Sequence, residues 1–190
     1  MGVQSKVALV RAMKDLLAED GYLATSPRDV LRRSGVGHGS LYHHFDGKDD
    51  LAAAALAEVA TEMRSEADAL LDSVDDPLEG VLTWLRAPRQ SLMGCRLGRL
   101  TGEPILEQSR VRDPIGAFFE YLQHRLAEKL HDAVAAGDLD RGVVSADLAA
   151  TLVAVVQGGF VIARATGDPD AMNRAQRGAL ALLSGSRGGA

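Results

Sequence analysis

Val10, Met13 and Leu17 stand at i, i+3 and i+7 inside a stretch from about Ser5 to Glu19, and this single apolar stripe predicts an amphipathic helix. Gly21 stops it. Thr25-Ser26-Pro27-Arg28-Asp29 then reads as a helix start: Ser26 suits the N-cap, Pro27 the first helical position, and Asp29 the acid of a capping box. The second helix turns Val30 and Leu31 inward and ends at Ser34-Gly35, where Gly-Val-Gly supplies a tight turn. A third helix, about His38 to Phe45, follows at once, and two short helices joined this closely form a helix-turn-helix unit. Asp46-Gly47 closes that unit. Lys48-Asp49-Asp50 opens a fourth helix carrying Leu51, Ala55, Leu56, Val59 and Met63, expected to persist to about Asp72.

Beyond it, Asp75-Asp76-Pro77 begins a helix through Trp84 and Leu85 that bends or stops at Ala87-Pro88. A helical stretch is expected over Leu92 to Leu100. Its Gly94 and Gly98, with Gly102, are spaced four apart, which fits either close helix approach or local flexibility. Asp113-Pro114 starts a long helix to about Ala136. Ser145 to about Thr166 is apolar nearly all round, so both its faces should be buried, and a final helix ends near Leu183. The pattern predicts an all-α chain of about nine helices. Residues 1–50 would form the helix-turn-helix domain, 51–184 a helical body, and 185–190 a disordered Gly-rich tail.

Composition agrees, since only 4 % of residues are aromatic while Ala, Leu, Arg and Glu recur at helical spacing. No signal-peptide core opens the chain and no run of about 18 to 20 apolar residues is uninterrupted, so a soluble cytoplasmic protein is expected, with no membrane partner. The single cysteine, Cys95, has no partner for an internal disulfide. A net charge of −5 argues against a nucleic-acid binder until its distribution is considered. Acids and bases balance over residues 1–50, and all of the net acidity falls in the remainder. An acidic body would keep DNA off the wrong side.

Around the third helix, Leu41 and Phe45 form an i, i+4 pair that anchors it to the core. Gly39, Ser40 and His43 then lie opposite, open to a major-groove floor, with Tyr42 and His44 flanking. Tyr42, His44 and Lys48 can reach phosphates, and the amides near Gly37 to Gly39 favour an anion. Taken singly, Tyr42 is a half-buried core aromatic, the histidines are solvated surface, and Arg28, Arg32 and Arg33 are a charged helix face. Their co-occurrence in one tri-helical pattern favours DNA reading.

Ala24-Thr25-Ser26, then Val30 to Phe45 with its Gly39-Ser40-Leu41-Tyr42-His43-His44-Phe45 core, then Lys48 and Leu51, resembles the signature of the TetR family of repressors. Gly94 to Glu103 is similar to a motif of the LmrA/YxaF-type effector domain, and Leu148 to Arg164 to that subgroup's penultimate helix. The resemblance implies DNA contacts from Ser26, Arg28, Gly37, His38, Gly39, Ser40, Tyr42, His44 and Lys48. His38 puts a titratable ring where many relatives have lysine.

One helix-turn-helix reads few base pairs, so specificity calls for two copies about 34 to 36 Å apart on a pseudo-palindrome, and hence for a homodimer. The resemblance implies a four-helix bundle from the last two helices of each subunit. Leu152, Val155, Val156, Gly159, Phe160 and Ala163 offer more apolar surface than one partner helix covers, although a central helix of a monomer would look the same. A pocket for a small apolar effector is expected among Trp84, Leu85, Leu92, Met93 and Leu97, and among Leu100, Phe118, Phe119, Leu122 and Phe160, bulky residues beside small ones. The resemblance implies that a ligand there displaces the fourth helix and changes the spacing of the reading heads. An enzyme is not expected: Cys95 has no evident histidine partner, and neither a phosphate loop nor a Gly-x-Ser-x-Gly elbow occurs. His124, Glu128 and His131 at i, i+4 and i+7 could ligate a metal, but such spacing on a charged helix reads as solvated surface, so neither metal nor cofactor is expected.

Overall fold

Helices carry almost all the regular structure of the computed structural model, which describes residues 2–185. They are α1 (Gly2–Glu19), α2 (Pro27–Ser34), α3 (His38–His44), α4 (Lys48–Leu71), α5 (Pro77–Arg86), α6 (Ser109–Ala136), α7 (Ser145–Thr166) and α8 (Asp170–Gly185). Two 3-10 turns, Gly98–Gly102 and Pro104–Glu107, lie between α5 and α6. Among the described residues there is no strand, so the all-α expectation holds.

Among the described residues eight α-helices stand where about nine are expected, because the stretch from Leu92 to Leu100 is not an α-helix. Gly94 adopts a left-handed φ of +81°, and three glycines with Pro104 nearby cost too much helical propensity for the apolar spacing to overcome. The three glycines therefore share no helical face. In the opposite sense, α6 starts at Ser109, ahead of the expected Asp113, and tolerates Pro114 in its second turn at the loss of one backbone hydrogen bond. The tail expected over 185–190 lies outside the described residues except for Gly185, which ends α8.

The chain forms two compact units. One takes the residues up to Glu62 together with Arg96–Phe118, and the other takes Met63–Cys95 with Phe119 onward. Compactness thus divides the chain differently from the functional segments read in the sequence, because the 3-10 turns and the start of α6 join the N-terminal helices.

In the first unit, Leu9, Met13 and Leu17 of α1 meet a core completed by Val30, Leu41, Phe45, Leu51, Leu97, Leu100 and Ile105, all buried. α2 starts as its sequence dictates. The Asp29 amide donates to Ser26 Oγ at 3.2 Å, the Ser26 amide donates to Asp29 Oδ2 at 3.1 Å, and Pro27 sits in the first turn. It stops at Gly35, whose φ of +67° brings its N–H to the Leu31 carbonyl at 3.0 Å.

In the second unit, α7 packs on α8 at Gly159, where a Cβ would come within 2.8 Å of Met172 Sδ. The C-terminal end of α5 is closed by two side chains from later in the chain: Gln176 donates to the Leu85 and Ala87 carbonyls at 2.7 and 3.0 Å, and Arg89 donates to those of Ala87 and Trp84 at 2.7 and 3.0 Å. Arg125 pairs with Asp68 at 3.0 Å and Asp72 at 2.8 Å, and Lys129 also reaches Asp72 at 2.8 Å, tying the end of α4 to α6. α7 is long and apolar enough by composition to cross a membrane, but its buried residues are those packed within this unit.

Candidate nucleic-acid interface

α3 is seven residues long and is oriented by two anchors, Leu41 and Phe45, which are almost wholly buried. Pinning that side fixes what faces outward. Gly37, His38, Gly39, Tyr42 and His43 are exposed and Ser40 is half-buried, so a continuous small-and-polar face projects from the unit. Tyr42 is 54 % exposed, its ring tilted against that of His38 with centroids 4.9 Å apart. Such a face, with a hydroxyl, imidazoles and bare backbone on a narrow helix, can approach base edges in a major groove.

The cations of α2 divide into bound and open. Arg33 makes a two-pronged contact with Glu19 at 2.8 and 2.6 Å, and Arg32 pairs with Asp29 at 2.6 Å. Hydrogen bonds from Ser26, then the Arg32 pair, hold the Asp29 carboxyl below its ordinary range. Arg28 is exposed and makes no ion pair among the described residues. Ser26 is committed to its cap, with its oxygen engaged by α2 itself.

His44 and Lys48 are drawn into the protein. His44 Nε2 is buried with no hydrogen-bond partner among the described residues, and its ring lies against the first turn of α1 at Gly2. Lys48 Nζ donates to the Tyr22 carbonyl at 2.7 Å and sits 3.7 Å from the centre of the Tyr22 ring, and burial pushes its pKa down. The Tyr22 hydroxyl donates to Asp49, which lowers the Asp49 pKa, while burial raises that of Tyr22.

Residues 5–55 match the family model described as bacterial regulatory proteins of the tetR family, and residues 71–179 match that of the tetracyclin repressor-like C-terminal domain. The chain belongs to the TetR family. Similar curated proteins include an uncharacterized HTH-type transcriptional regulator from the lacX 3' region of Lactococcus lactis, 27 % identical over 86 % of this chain and 85 % of that protein. The regulator LmrA of Bacillus subtilis is 28 % identical over 57 % of this chain and 62 % of its own. Among solved structures, a TetR regulatory protein of Rhodobacter sphaeroides superposes with a TM-score of 0.79 at 25 % identity, covering 90 % of this chain and 94 % of that one. A TetR-family regulator of Cytophaga hutchinsonii reaches 0.88 at 18 % identity over 100 % and 98 %. The chain is thus a transcriptional regulator with a helix-turn-helix DNA-binding segment, and not an enzyme.

The TetR chain distributes its other expected site residues over both units. Leu97, Leu100 and Phe118 are buried in the first, and Trp84, Leu85 and Leu122 in the second. Phe119 and Phe160 are half-buried, and Met93 and Leu92 are each about half exposed. A hollow of about 420 Å³ opens in the first unit among Val7, Arg11, Lys14, Val59, Glu62 and Arg96, none of them an expected effector residue. Lys14 and Arg96 both pair with Glu62 there, and these cations hold its carboxyl below the usual range.

The residues expected at the dimer surface lie on α7. Leu152, Val156, Gly159 and Ala163 are buried inside their own unit, where Gly159 permits the close approach of α7 to α8. Val155 and Phe160 are half-buried, and the large apolar side chains of α7 and α8 left outside, among the described residues, are Val161, Ile162 and Leu182, 66 %, 52 % and 74 % exposed. His124 Nδ1 lies 3.6 Å from Glu128 on the exposed side of α6, and no group of three His, Cys, Asp or Glu among the described residues could hold a metal. Sequence reasoning passed over Arg99 and Glu103. Both bind backbone groups about eighty positions away, and no local pattern signals that.

Proposed function

We propose that this TetR-family chain is a transcriptional repressor that binds a pseudo-palindromic operator as a homodimer and is released by a small apolar effector. The observation that carries the reading is α3, which hides Leu41 and Phe45 and leaves His38, Gly39, Tyr42 and His43 outside. In this reading Gly37 to Ser40 and His43 meet base edges. Arg28 and Tyr42 meet phosphates, with Ser26, His44 and Lys48 acting at the same backbone once their present contacts rearrange. Residues 1–50 form the reading segment, and 51–184 the effector and dimerisation body. The exposed aliphatics Val161, Ile162 and Leu182 meet their counterparts in a second copy, which places two reading heads about 34 to 36 Å apart in the cytoplasm. An effector preferring the non-binding head spacing by about 1 to 3 kcal/mol suffices for release.

The test is selection of bound sites from random duplex DNA by the purified chain. An enriched inverted repeat with half-sites one helical turn apart is the expected result. Failure to enrich any duplex over scrambled competitor at modest ionic strength ends the proposal.

A further inference from the structure

The turn between α1 and α2 meets part of its backbone internally but leaves two consecutive amides to be satisfied from elsewhere in the chain. Gly21 takes a φ of +83°, and the next two amides are those of Tyr22 and Leu23. Glu103, at the mouth of the second 3-10 turn, receives both: the Tyr22 N–H donates to Oε1 at 3.0 Å and the Leu23 N–H to Oε2 at 2.9 Å. A Cβ at position 21 would come within 2.6 Å of Glu103 Oε1, so the glycine makes room for the carboxylate as well as for the backbone. Four residues earlier, Arg99 donates to the Ala18 carbonyl and, at 3.5 Å, to that of Glu19, the unpaired acceptors at the end of α1. An anion thus sits on free donors and a cation on free acceptors.

The same turn leads into the reading helices. The Tyr22 carbonyl accepts from Lys48 at 2.7 Å and from the Thr25 amide at 3.2 Å, and Thr25 Oγ1 donates to the Gly21 carbonyl at 2.7 Å. Thr25 directly precedes Ser26, the cap that sets where α2 begins. Leu97 and Leu100, both wholly buried, flank Arg99, so a shift of that 3-10 turn in the core moves Arg99 and Glu103 together.

We propose that Arg99 and Glu103 form a two-point latch that fixes the pitch of the α1–α2 turn and thereby positions α2 and α3 for DNA, with Glu103 as the principal positioning residue. The inference rests on the DNA-reading role proposed above. It makes a prediction opposite in sign to simple electrostatics. Removing an acid near a DNA-binding face ordinarily strengthens binding to a polyanion, whereas opening the latch weakens it.

The experiment uses the full-length chain, the duplex recovered by selection, and the variants Glu103→Ala, Glu103→Gln and Glu107→Gln. Glu107, exposed in the same turn region, controls for loss of one negative charge. Charge-assisted hydrogen bonds being among the stronger ones, Glu103→Ala should weaken binding by about 10-fold and Glu103→Gln, which keeps one acceptor oxygen, by about 3-fold. Glu107→Gln should bind as well as the unaltered chain or slightly better. Amide exchange by NMR should show Tyr22 and Leu23 losing protection in Glu103→Ala while the buried part of α1 keeps it. Unchanged affinity in Glu103→Ala, or a gain matching that of Glu107→Gln, overturns the latch, as does loss of cooperative unfolding in Glu103→Gln, which would make Glu103 a requirement for folding. An unaltered chain that selects no duplex removes DNA reading and the latch with it, an outcome distinct from a latch variant that binds normally.

Discussion

The two compact units are held by different kinds of contact. In the first, charged side chains are spent on backbone groups and turns: Glu103 on two amides, Arg99 on the end of α1, Lys48 on the Tyr22 carbonyl. In the second, an apolar helix is pressed against its neighbour at Gly159, and the buried neutral side chains of Gln176 and Ser91 reach backbone carbonyls, Gln176 beside Arg89 at the end of α5. Polar contacts at a part-exposed turn exchange readily with water, while apolar packing at short range resists any partial change. The difference suits a DNA-binding segment that must adjust and, in the homodimer proposed above, a body that holds a fixed interface.

The largest effect should come from Leu41→Ala. It removes one of only two anchors of α3 and should cost about 2 to 5 kcal/mol, seen as early loss of amide protection in α2 and α3 while α7 and α8 stay protected. If all helices lose protection together, the two units do not differ as argued. Gly80→Ala probes the second unit. Helical propensity favours alanine by about 1 kcal/mol, yet the new Cβ would run into the Leu71 carbonyl oxygen, a backbone atom with no rotamer to change. Overpacking should win by about 1 to 2 kcal/mol and lower the melting temperature by several degrees. A rise in melting temperature would show that this approach yields easily.

Gln176→Leu keeps the volume and leaves the Leu85 carbonyl without its side-chain donor, so calorimetry should register a loss of about 1 to 3 kcal/mol. The smallest effect is a pH response confined to the first unit. The Tyr22 and Gln108 hydrogen bonds hold the Asp49 carboxyl below its ordinary value. Its stabilising contribution is therefore complete above about pH 4, the ordinary aspartate range, and disappears as pH falls through the lowered folded value. The melting temperature of the unaltered chain should exceed that of Asp49→Asn at pH 6, and the gap should narrow toward pH 3. A gap independent of pH would remove Asp49 from the account.

Much of the first unit was legible because its determinants are local. Ser26, Pro27 and Asp29 set the start of α2 within four residues, and Leu41 with Phe45 sets the inward side of α3 within five. The stretch around Leu92 to Leu100 misled because apolar spacing was weighed without the combined cost of its glycines and Pro104. α7 is less legible for another reason. A helix apolar nearly all round carries no mark of which side meets its own unit, so Leu152, Val156, Gly159 and Ala163 could not be separated from Val161 and Ile162 by pattern.

By itself, then, the sequence determined the helical class, the family, the caps that begin and end α2, and the pair that orients α3, since each follows from residues a turn or two apart. Tertiary structure alone decided which face of α7 is left outside, that His44 and Lys48 are engaged by the protein, and that Glu103 closes the turn after Gly21. Those outcomes depend on where unpaired backbone groups and close-packed surfaces meet across about twenty to eighty positions of chain, and chain folding, unlike helix periodicity, leaves no repeating signature.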